Sequence, residues 1–227
     1  MGRLEKTYLP AAGHDWALPL YDPLVKFLGV DTVRSVLLNQ AAVRASHRVL
    51  DIGCGTGTMA ILIKRLYPGT DVVGLDPDPR ALARARRKAK RSGLSVLFDQ
   101  GSSDNLPYPD ACFDRVFSSF MFHHLQADQR ETTLSEVRRV LKPGGSFHLV
   151  DFEGPDKGSR GWLTRLFHSS QRLKDNSEGR VLALMNHAGF QAAKKLLDGR
   201  LLFGALRIGY FQASVSPKAN VDEKLEA

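Results

Sequence analysis

A glycine-rich stretch carries the side chains best suited to bind a ligand. Asp51 opens it, and Gly53, Gly55 and Gly57 follow at every second position after a short apolar run. Glycine allows the backbone to turn sharply and to approach a ligand closely. Asp76 ends the next apolar run, where a carboxylate can accept hydrogen bonds from both hydroxyl groups of a ribose. The two features together favour a nucleoside ligand.

Two classes of nucleoside cofactor fit this pattern. The run from Gly55 to Ala60 matches the dinucleotide fingerprint G-x-G-x-x-A, and Asp76 lies 21 residues after Gly55, close to the spacing of a dinucleotide site. The carboxylate of Asp51 would repel a pyrophosphate held at this loop. It suits a ligand with a cationic amino or sulfonium group, and S-adenosylmethionine (SAM) has both. We therefore predict SAM rather than NAD, and expect Asp51→Asn to weaken binding of SAM but not of NAD.

His123, His124 and Asp151 are candidates for catalysis. The two histidines follow the predicted fourth strand, and Asp151 ends the predicted fifth strand. Histidine exchanges protons near neutral pH, and methyl transfer needs a base when the acceptor carries a proton at the point of attack. The alternative for all three is a packing or loop-stabilising role. Methyl transfer from a sulfonium implies no metal, and the two cysteines, Cys54 and Cys112, lack the spacing of a thiolate zinc site.

Composition narrows the class of protein. The chain has 227 residues, of which 43% are hydrophobic and 25% charged, values typical of a globular domain rather than a disordered one. No apolar run approaches the ~20 residues that a membrane span needs, and we expect a cytoplasmic protein. The formal charge of +8 favours anionic partners without choosing among them.

Strand and helix patterns alternate from about residue 48 to 152, which predicts a parallel sheet with helices on both faces. The chain before this region reads as helices, and Asp128 and Glu131 have the spacing of a capping box. Two late runs should form a hairpin at one edge of the sheet. The predicted strands are 48–51, 72–76, 95–98, 113–119, 147–151, 190–197 and 206–215; a helix follows the glycine loop, and others are predicted at 78–92, 128–141 and 178–188.

A series of motifs, in order along the chain, resembles the class I SAM-dependent methyltransferases. The similarity spans about residues 45 to 215 and is greatest to the branch that includes the methyltransferases of ubiquinone and menaquinone biosynthesis. The motifs are Val49–Gly57, Gly74–Asp76, Gln100–Pro107, Phe113–Leu125, Arg138–Gly145 and Ala188–Phe190.

The resemblance implies a Rossmann-like α/β fold. We expect a seven-stranded, mostly parallel sheet with helices on both faces and an N-terminal helical lid. SAM would be the cofactor and S-adenosylhomocysteine (SAH) the product. The expected divisions are a lid at 1–45, a SAM-binding core at 46–152, a cap insertion with the last helix and strand pair at 153–215, and a frayed tail at 216–227.

The resemblance also implies roles for single residues. Asp51 and the loop glycines would hold the methionine end of SAM, Asp76 would bind its ribose, and Ser119 would lie beside the methionyl chain. The family usually has Asp where this chain has Ser102, which is neutral and shorter and would make a weaker contact with adenine. The expected cofactor-binding residues are Asp51, Gly53, Gly55, Gly57, Asp76, Pro77, Ser102, Ser103 and Ser119.

The leading functional hypothesis is methylation of a small organic molecule at O, N or C. The acceptor pocket should come from an aromatic N-terminal segment and from the 153–176 insertion, whose apolar side chains suit a quinone, a lipid or a secondary metabolite. A basic, aromatic stretch at 160–174 would allow peripheral membrane contact. The predicted pocket residues are Tyr8, Trp16, Tyr21, Phe27, Trp162, Leu163, Leu166 and Phe167.

Other functions remain open. The helix at 80–91 carries seven cations, which could bind RNA but more simply form a solvated outer face. The motif of amino-group nucleic-acid methyltransferases is missing, because Ser118–Met121 occupies its place. The alternatives are methylation of RNA or protein, a nucleoside-binding module without catalysis, and an NAD-dependent protein.

Overall fold

The computed structural model describes residues 30–153, 177–201 and 206–217. Among them, seven strands form one sheet with the order β3-β2-β1-β4-β5-β7-β6. Strands β1 to β5 run parallel, while β7 pairs antiparallel with both β5 and β6. The prediction of a seven-stranded, mostly parallel sheet closed by an edge hairpin is confirmed. Most of the predicted lid and cap, with every residue assigned to the acceptor pocket, lies outside the described residues.

The strand bounds follow the apolar runs of the sequence closely. Strand β4 coincides with its prediction, and β1 and β2 each differ by one residue. The strands are β1 Arg48–Ile52, β2 Asp71–Asp76, β3 Leu97–Gln100, β4 Phe113–Ser119, β5 Leu141–Phe152, β6 Gln191–Leu201 and β7 Leu206–Ser214.

Five helices accompany these strands in the described residues. Helix α3 begins with an Asp78 side chain that accepts from the Arg80 N–H, followed by a proline at its first position, a combination that favours helix initiation. The helices are α1 Val30–Asn39, α2 Thr58–Leu66, α3 Pro79–Arg91, α4 Ala127–Val140 and α5 Glu178–His187, with a 3₁₀ turn at Phe122–His124. None of them is long and apolar enough to cross a membrane.

The helices cover both faces of the sheet. Helices α1, α2 and α3 pack on one face through side chains such as Leu37, Ile63 and Leu82. Helices α4 and α5 pack on the other, where Leu134 and Met185 are completely buried. Burial of two faces explains why the central strands are apolar along their whole length rather than alternating.

Several predicted elements were misplaced by a few residues. Strand β5 begins at Leu141 rather than residue 147, and β6 extends to Leu201 rather than residue 197. Strand β3 begins at Leu97 rather than residue 95, because Leu94 still folds back on α3 through a hydrogen bond from its N–H to the Ala89 carbonyl. Helix α4 begins earlier than its predicted cap, since the Gln126 N–H donates to Oε1 of Gln129. The Asp128–Glu131 spacing therefore lies inside the helix and does not cap it.

Candidate functional site

The predicted ligand-binding residues meet at the carboxyl edge of the sheet. Strand β1 lies between β2 and β4, so the chain leaves β1 in one direction and returns on the other side. A crevice opens at such a switch point, and open α/β sheets bind their ligands there. Asp51, Asp76, Ser119 and Asp151 lie at the ends of the four strands around this point.

The glycine loop has a backbone that other residues adopt only with strain. Gly53, Gly55 and Gly57 all have positive φ, of 66°, 54° and 75°. A Cβ atom on Gly57 would lie 2.8 Å from both the Ala85 Cβ and the Phe98 ring, and one on Gly53 would lie 2.3 Å from Cγ of Met121. Glycine is therefore required here both for the turn and for the close approach of α3 and β3.

Gly57→Ala is expected to destabilise the protein by about 1–3 kcal/mol more than Gly93→Ala, because it adds overpacking to the cost of a left-handed alanine. Gly93 is the matched control, since its φ is 65° and nothing lies within 4 Å of its added Cβ. Urea unfolding of the two variants measures the difference. Equal losses would show that the contacts of Gly57 do not constrain the loop.

Asp76 fixes the glycine loop as well as facing the crevice. Its Oδ2 accepts from the Gly55 N–H at 2.8 Å, and its Oδ1 accepts from the Asp78 N–H at 2.9 Å. Burial raises the pKa of this carboxyl, while the two backbone donors oppose the change. Each oxygen keeps one lone pair for a further donor. Pro77 follows, half-buried, and its carbonyl accepts from the Gln100 side chain at 3.3 Å.

Asp51 is a buried carboxyl group with little hydrogen bonding. Its residue is 1% exposed, and neither carboxylate oxygen meets a donor in good hydrogen-bond geometry, although the Ala60 backbone N–H approaches it and lowers its pKa. Burial raises its pKa to about 7, although the nearby charge of Arg34 opposes the shift. A buried carboxylate with so few donors is costly, and a cationic ligand group would supply a further one. The observation fits the methionine end of SAM.

The two predicted adenine-contacting serines differ in what their hydroxyl groups do. Ser103 is buried, and its Oγ lies 3.0 Å from Oγ1 of Thr133 on α4. Ser102 is exposed, and its carbonyl accepts from the Asn105 N–H. Of the two side chains, Ser102 alone presents its hydroxyl group to solvent, where a ligand could meet it.

His123 and Asp151 form a hydrogen-bonded pair at the ends of β4 and β5. Nδ1 of His123 lies 2.5 Å from Oδ1 of Asp151, and the His123 N–H donates to Oδ2 at 2.9 Å. The N–H of Phe152 donates to the same carboxylate. Asp151 is completely buried, whereas the His123 side chain is 13% exposed. Two backbone N–H groups hold this carboxylate, which can also accept from Nδ1 of His123 in the tautomer that leaves the lone pair of Nε2 free.

Aromatic rings surround this pair. The Phe120 and Phe152 rings lie 4.9 Å apart, and the Phe152 ring meets the His123 ring edge-on at 5.1 Å. We call Phe120, His123 and Phe152 the aromatic shelf. Phe120 has a φ of 56°, which is strained for a bulky residue and typical of functional sites. His124 packs its ring 3.9 Å from that of His123.

Two cations of the basic helix α3 make hydrogen bonds to other parts of the protein, whereas the sequence suggested that they face solvent. Lys88 is one of the seven cations predicted to form a solvated outer face, yet its Nζ donates to Oγ1 of Thr56 at 3.1 Å and Oγ1 of Thr58 at 3.0 Å. Arg86 donates to the Phe98 carbonyl. These two cations therefore stabilise the glycine loop and β3.

Arg34 was missed by the sequence analysis. It lies on α1 and is 6% exposed, and its Nε is 3.5 Å from Oγ of Ser119. A single arginine in a helix gives no signal of burial. The hydrophobic positions around it would have shown that it faces the core, because Val30, Val33 and Leu37 are also buried.

Comparisons with known sequences agree with the family resemblance that the sequence motifs indicated. Residues 49–145 match the family described as "Methyltransferase domain". A demethylmenaquinone methyltransferase of Thermus thermophilus is 41% identical over 152 residues, which cover 66% of this chain and 68% of that protein. A demethylmenaquinone methyltransferase of Deinococcus radiodurans has the same identity, and the match covers 66% of this chain but 62% of the relative.

Solved structures share the fold at lower identity. A phosphoethanolamine N-methyltransferase of Haemonchus contortus in complex with SAM aligns with a TM-score of 0.70 at 18% identity, over 82% of this chain and 53% of that one. The [4+2]-cyclase SpnF aligns with a TM-score of 0.68 at 19% identity, over 82% of this chain and 81% of that one. At these identities the likeness concerns the fold, and the chemistry must be argued from the site.

Proposed function

Because the chain belongs to the SAM-dependent methyltransferases, we propose that it methylates a small ring molecule that carries an ionisable hydroxyl group, of the quinol type. The observation that carries the proposal is the contact between His123 and the buried carboxylate of Asp151. Such a pair can remove a proton from the acceptor as the methyl group arrives.

Asp51, the glycine loop and Asp76 would form the part of the site that binds the cofactor. SAM, when bound, supplies an electrophilic methyl group on a sulfonium whose leaving electron pair stays on sulfur. The three loop glycines let the backbone pass close beneath the ligand, and Asp51 meets its ammonium group. Asp76 offers its remaining lone pairs to the ribose. These residues position the ligand and exclude water, which is what a displacement at carbon requires of a protein.

We place the hydroxyl group of the acceptor beside His123. Asp151 holds the imidazole with Nδ1 protonated, so Nε2 takes the proton of the acceptor hydroxyl group and His123 becomes an imidazolium that Asp151 stabilises. The electron pair released on the acceptor forms the new bond to the methyl group, at the oxygen or at a ring carbon activated by it. Attack at carbon is completed by loss of the proton on that carbon, which restores the aromatic ring and its hydroxyl group. The proton then returns to solvent from the partly exposed His123 side chain.

The aromatic shelf supports a ring-containing acceptor. Flat apolar rings stack on such side chains, with a gain of about 0.5–1.5 kcal/mol for each aromatic pair beyond the area that they bury. Two relatives, each 41% identical to this chain over 152 residues, are named demethylmenaquinone methyltransferases. A quinol ring combines an apolar plane with acidic hydroxyl groups.

A labelling experiment tests this function. Purified protein is incubated with methyl-labelled SAM and, in separate reactions, a 2-prenyl-1,4-naphthoquinol, its dimethyl ether, total RNA or unfolded protein. We expect label in the naphthoquinol and none in the ether, whose hydroxyl groups are blocked. Label in RNA or protein would overturn the proposal, as would labelling of the ether at the rate of the quinol.

A further inference from the structure

Four arginines form a straight row on the outer face of helix α3. They lie at positions i, i+4, i+7 and i+11, which places them within about 60° of one another around the helix axis and along about 16 Å of its length. The helix buries Leu82 and Ala85 on the opposite side. We call these four residues, of which the second is partly exposed and the others are exposed, the arginine row: Arg80, Arg84, Arg87 and Arg91.

The arginine row is unfavourable for the helix that carries it. Cations three or four residues apart on one helix face repel each other, and Arg80 lies in the first turn, where the helix dipole favours an anion. No residue from 79 to 98 is acidic, so neither the helix nor the start of β3 supplies an opposite charge. A solvated surface normally mixes both signs of charge. Charges that are kept against local stability point to a function.

The arginine row is distinct from the cations of α3 that stabilise the protein. Lys88 and Arg86 donate to the glycine-loop threonines and to a carbonyl of β3. Arg87, in the row, donates from Nε to the Ala83 carbonyl of its own helix at 3.2 Å, and its guanidinium stays on the outer face. The row therefore presents its charge to a partner rather than to the fold.

We propose that the arginine row binds the phosphate backbone of a nucleic-acid duplex without reading its sequence. Arginine presents a planar fork of donors that matches phosphate oxygens. The length of the row spans about five phosphates of one strand, at about 3.4 Å of duplex axis for each. Residues 79–91 include no aromatic side chain that could stack on a base, and contacts with phosphates alone carry no sequence information. This surface lies apart from the proposed methylation site.

An anionic membrane fits the arginine row less well than a duplex does. A helix that lies on a bilayer inserts an apolar face between the lipids. Helix α3 packs its apolar face against the sheet instead, through Leu82 and Ala85. The largest apolar side chain on its outer face is that of Ala83.

The salt dependence of binding tests the proposal. Binding of a fluorescent DNA duplex of about 20 base pairs is followed by anisotropy between about 50 and 200 mM salt. For wild type we expect a Kd of about 10⁻⁴–10⁻⁶ M, typical of non-specific binding. The slope of the logarithm of the association constant against the logarithm of the salt concentration should be about −3.6, since each neutralised phosphate contributes about −0.9.

Two double variants separate the arginine row from the overall charge. The row variant combines Arg84→Gln with Arg87→Gln, and the matched control combines Arg44→Gln with Lys194→Gln, two exposed cations outside α3. Both variants lower the formal charge of +8 by two. The slope of the row variant should move toward zero by about 1.8, and the control should keep the wild-type slope. Glutamine favours helices and removes repulsion within the row, so thermal unfolding should show no loss of stability.

Three results would overturn the inference. Equal slopes in the row variant and the control would show that binding follows the overall charge. Wild type that binds phosphatidylglycerol vesicles but not the duplex would reassign the surface to a membrane, and wild type that binds neither would leave it a solvated face. Duplex binding does not require methyl transfer, so a failure of the proposed function would leave the inference standing.

Discussion

His123→Asn is expected to lower kcat by about 10²–10⁴, the usual contribution of a positioned general base. The variant keeps a polar side chain beside Asp151 but has no Nε2 to accept a proton. Affinity for SAH should change less than twofold, because His123 is not among the residues proposed to hold the cofactor. The measurement is label transfer to a quinol at saturating SAM, with SAH binding measured separately.

An acceptor that needs no base provides the sharper readout. A 2,4-dinitrophenol is already ionised at neutral pH, so wild type and His123→Asn should methylate it at rates within about threefold if proton removal is the lost step. His47→Asn is the control, since His47 precedes β1 at the opposite edge of the sheet. Equal losses with both acceptors would show that His123 positions the acceptor rather than accepting its proton. A larger loss in His124→Asn would reassign the base.

The central fold was predictable because its signals are local. Loop glycines, the acids near the carboxyl ends of β1, β2 and β5, and apolar runs all act within a few residues of chain. The glycine loop and β4 accordingly lie where the sequence placed them. Boundaries set by competing contacts were less predictable. Strand β3 starts late because Leu94 remains bonded to α3, and no propensity of residues 95 and 96 reveals that contact.

The site was predictable in its residues more than in its contacts. The sequence placed His123 and Asp151 at neighbouring strand ends, but the 3₁₀ turn that brings ring and carboxylate together depends on tertiary packing. Arg34 itself gave no signal of burial, and only the apolar positions beside it, Val33 and Leu37, mark its side of α1 as buried. Lys88 gave a misleading signal. In the sequence it is one of several cations in a helix, which suggests exposure to solvent, whereas in the structure it donates to Thr56.

Asp51→Asn is expected to stabilise the free protein above neutral pH. Burial raises the folded-state pKa of Asp51 from 3.8 to about 7. Between these values the unfolded chain loses the proton while the folded chain keeps it, so the unfolded state binds fewer protons and stability falls as pH rises. At 1.36 kcal/mol for each pKa unit, the free energy of unfolding of wild type falls by about 4 kcal/mol by pH 7. Asparagine does not ionise, so the variant does not lose this stability.

Urea unfolding of wild type and variant between pH 4 and 7.5 measures this effect. The other groups that titrate in this range, including Asp76, are common to both proteins, so the change with pH in the difference between the two free energies of unfolding reports mainly on Asp51. A difference that stays constant across the range would contradict the raised pKa.

The same substitution should weaken SAH binding by about tenfold to a hundredfold, since the ammonium group loses its charged acceptor. Binding of NAD, measured in parallel, should not weaken. A variant that binds SAH as tightly as wild type would show that Asp51 does not meet the ammonium group. The expected combination, a gain in stability with a loss in affinity, follows because a carboxylate buried with so few donors is costly until the ligand supplies a further one.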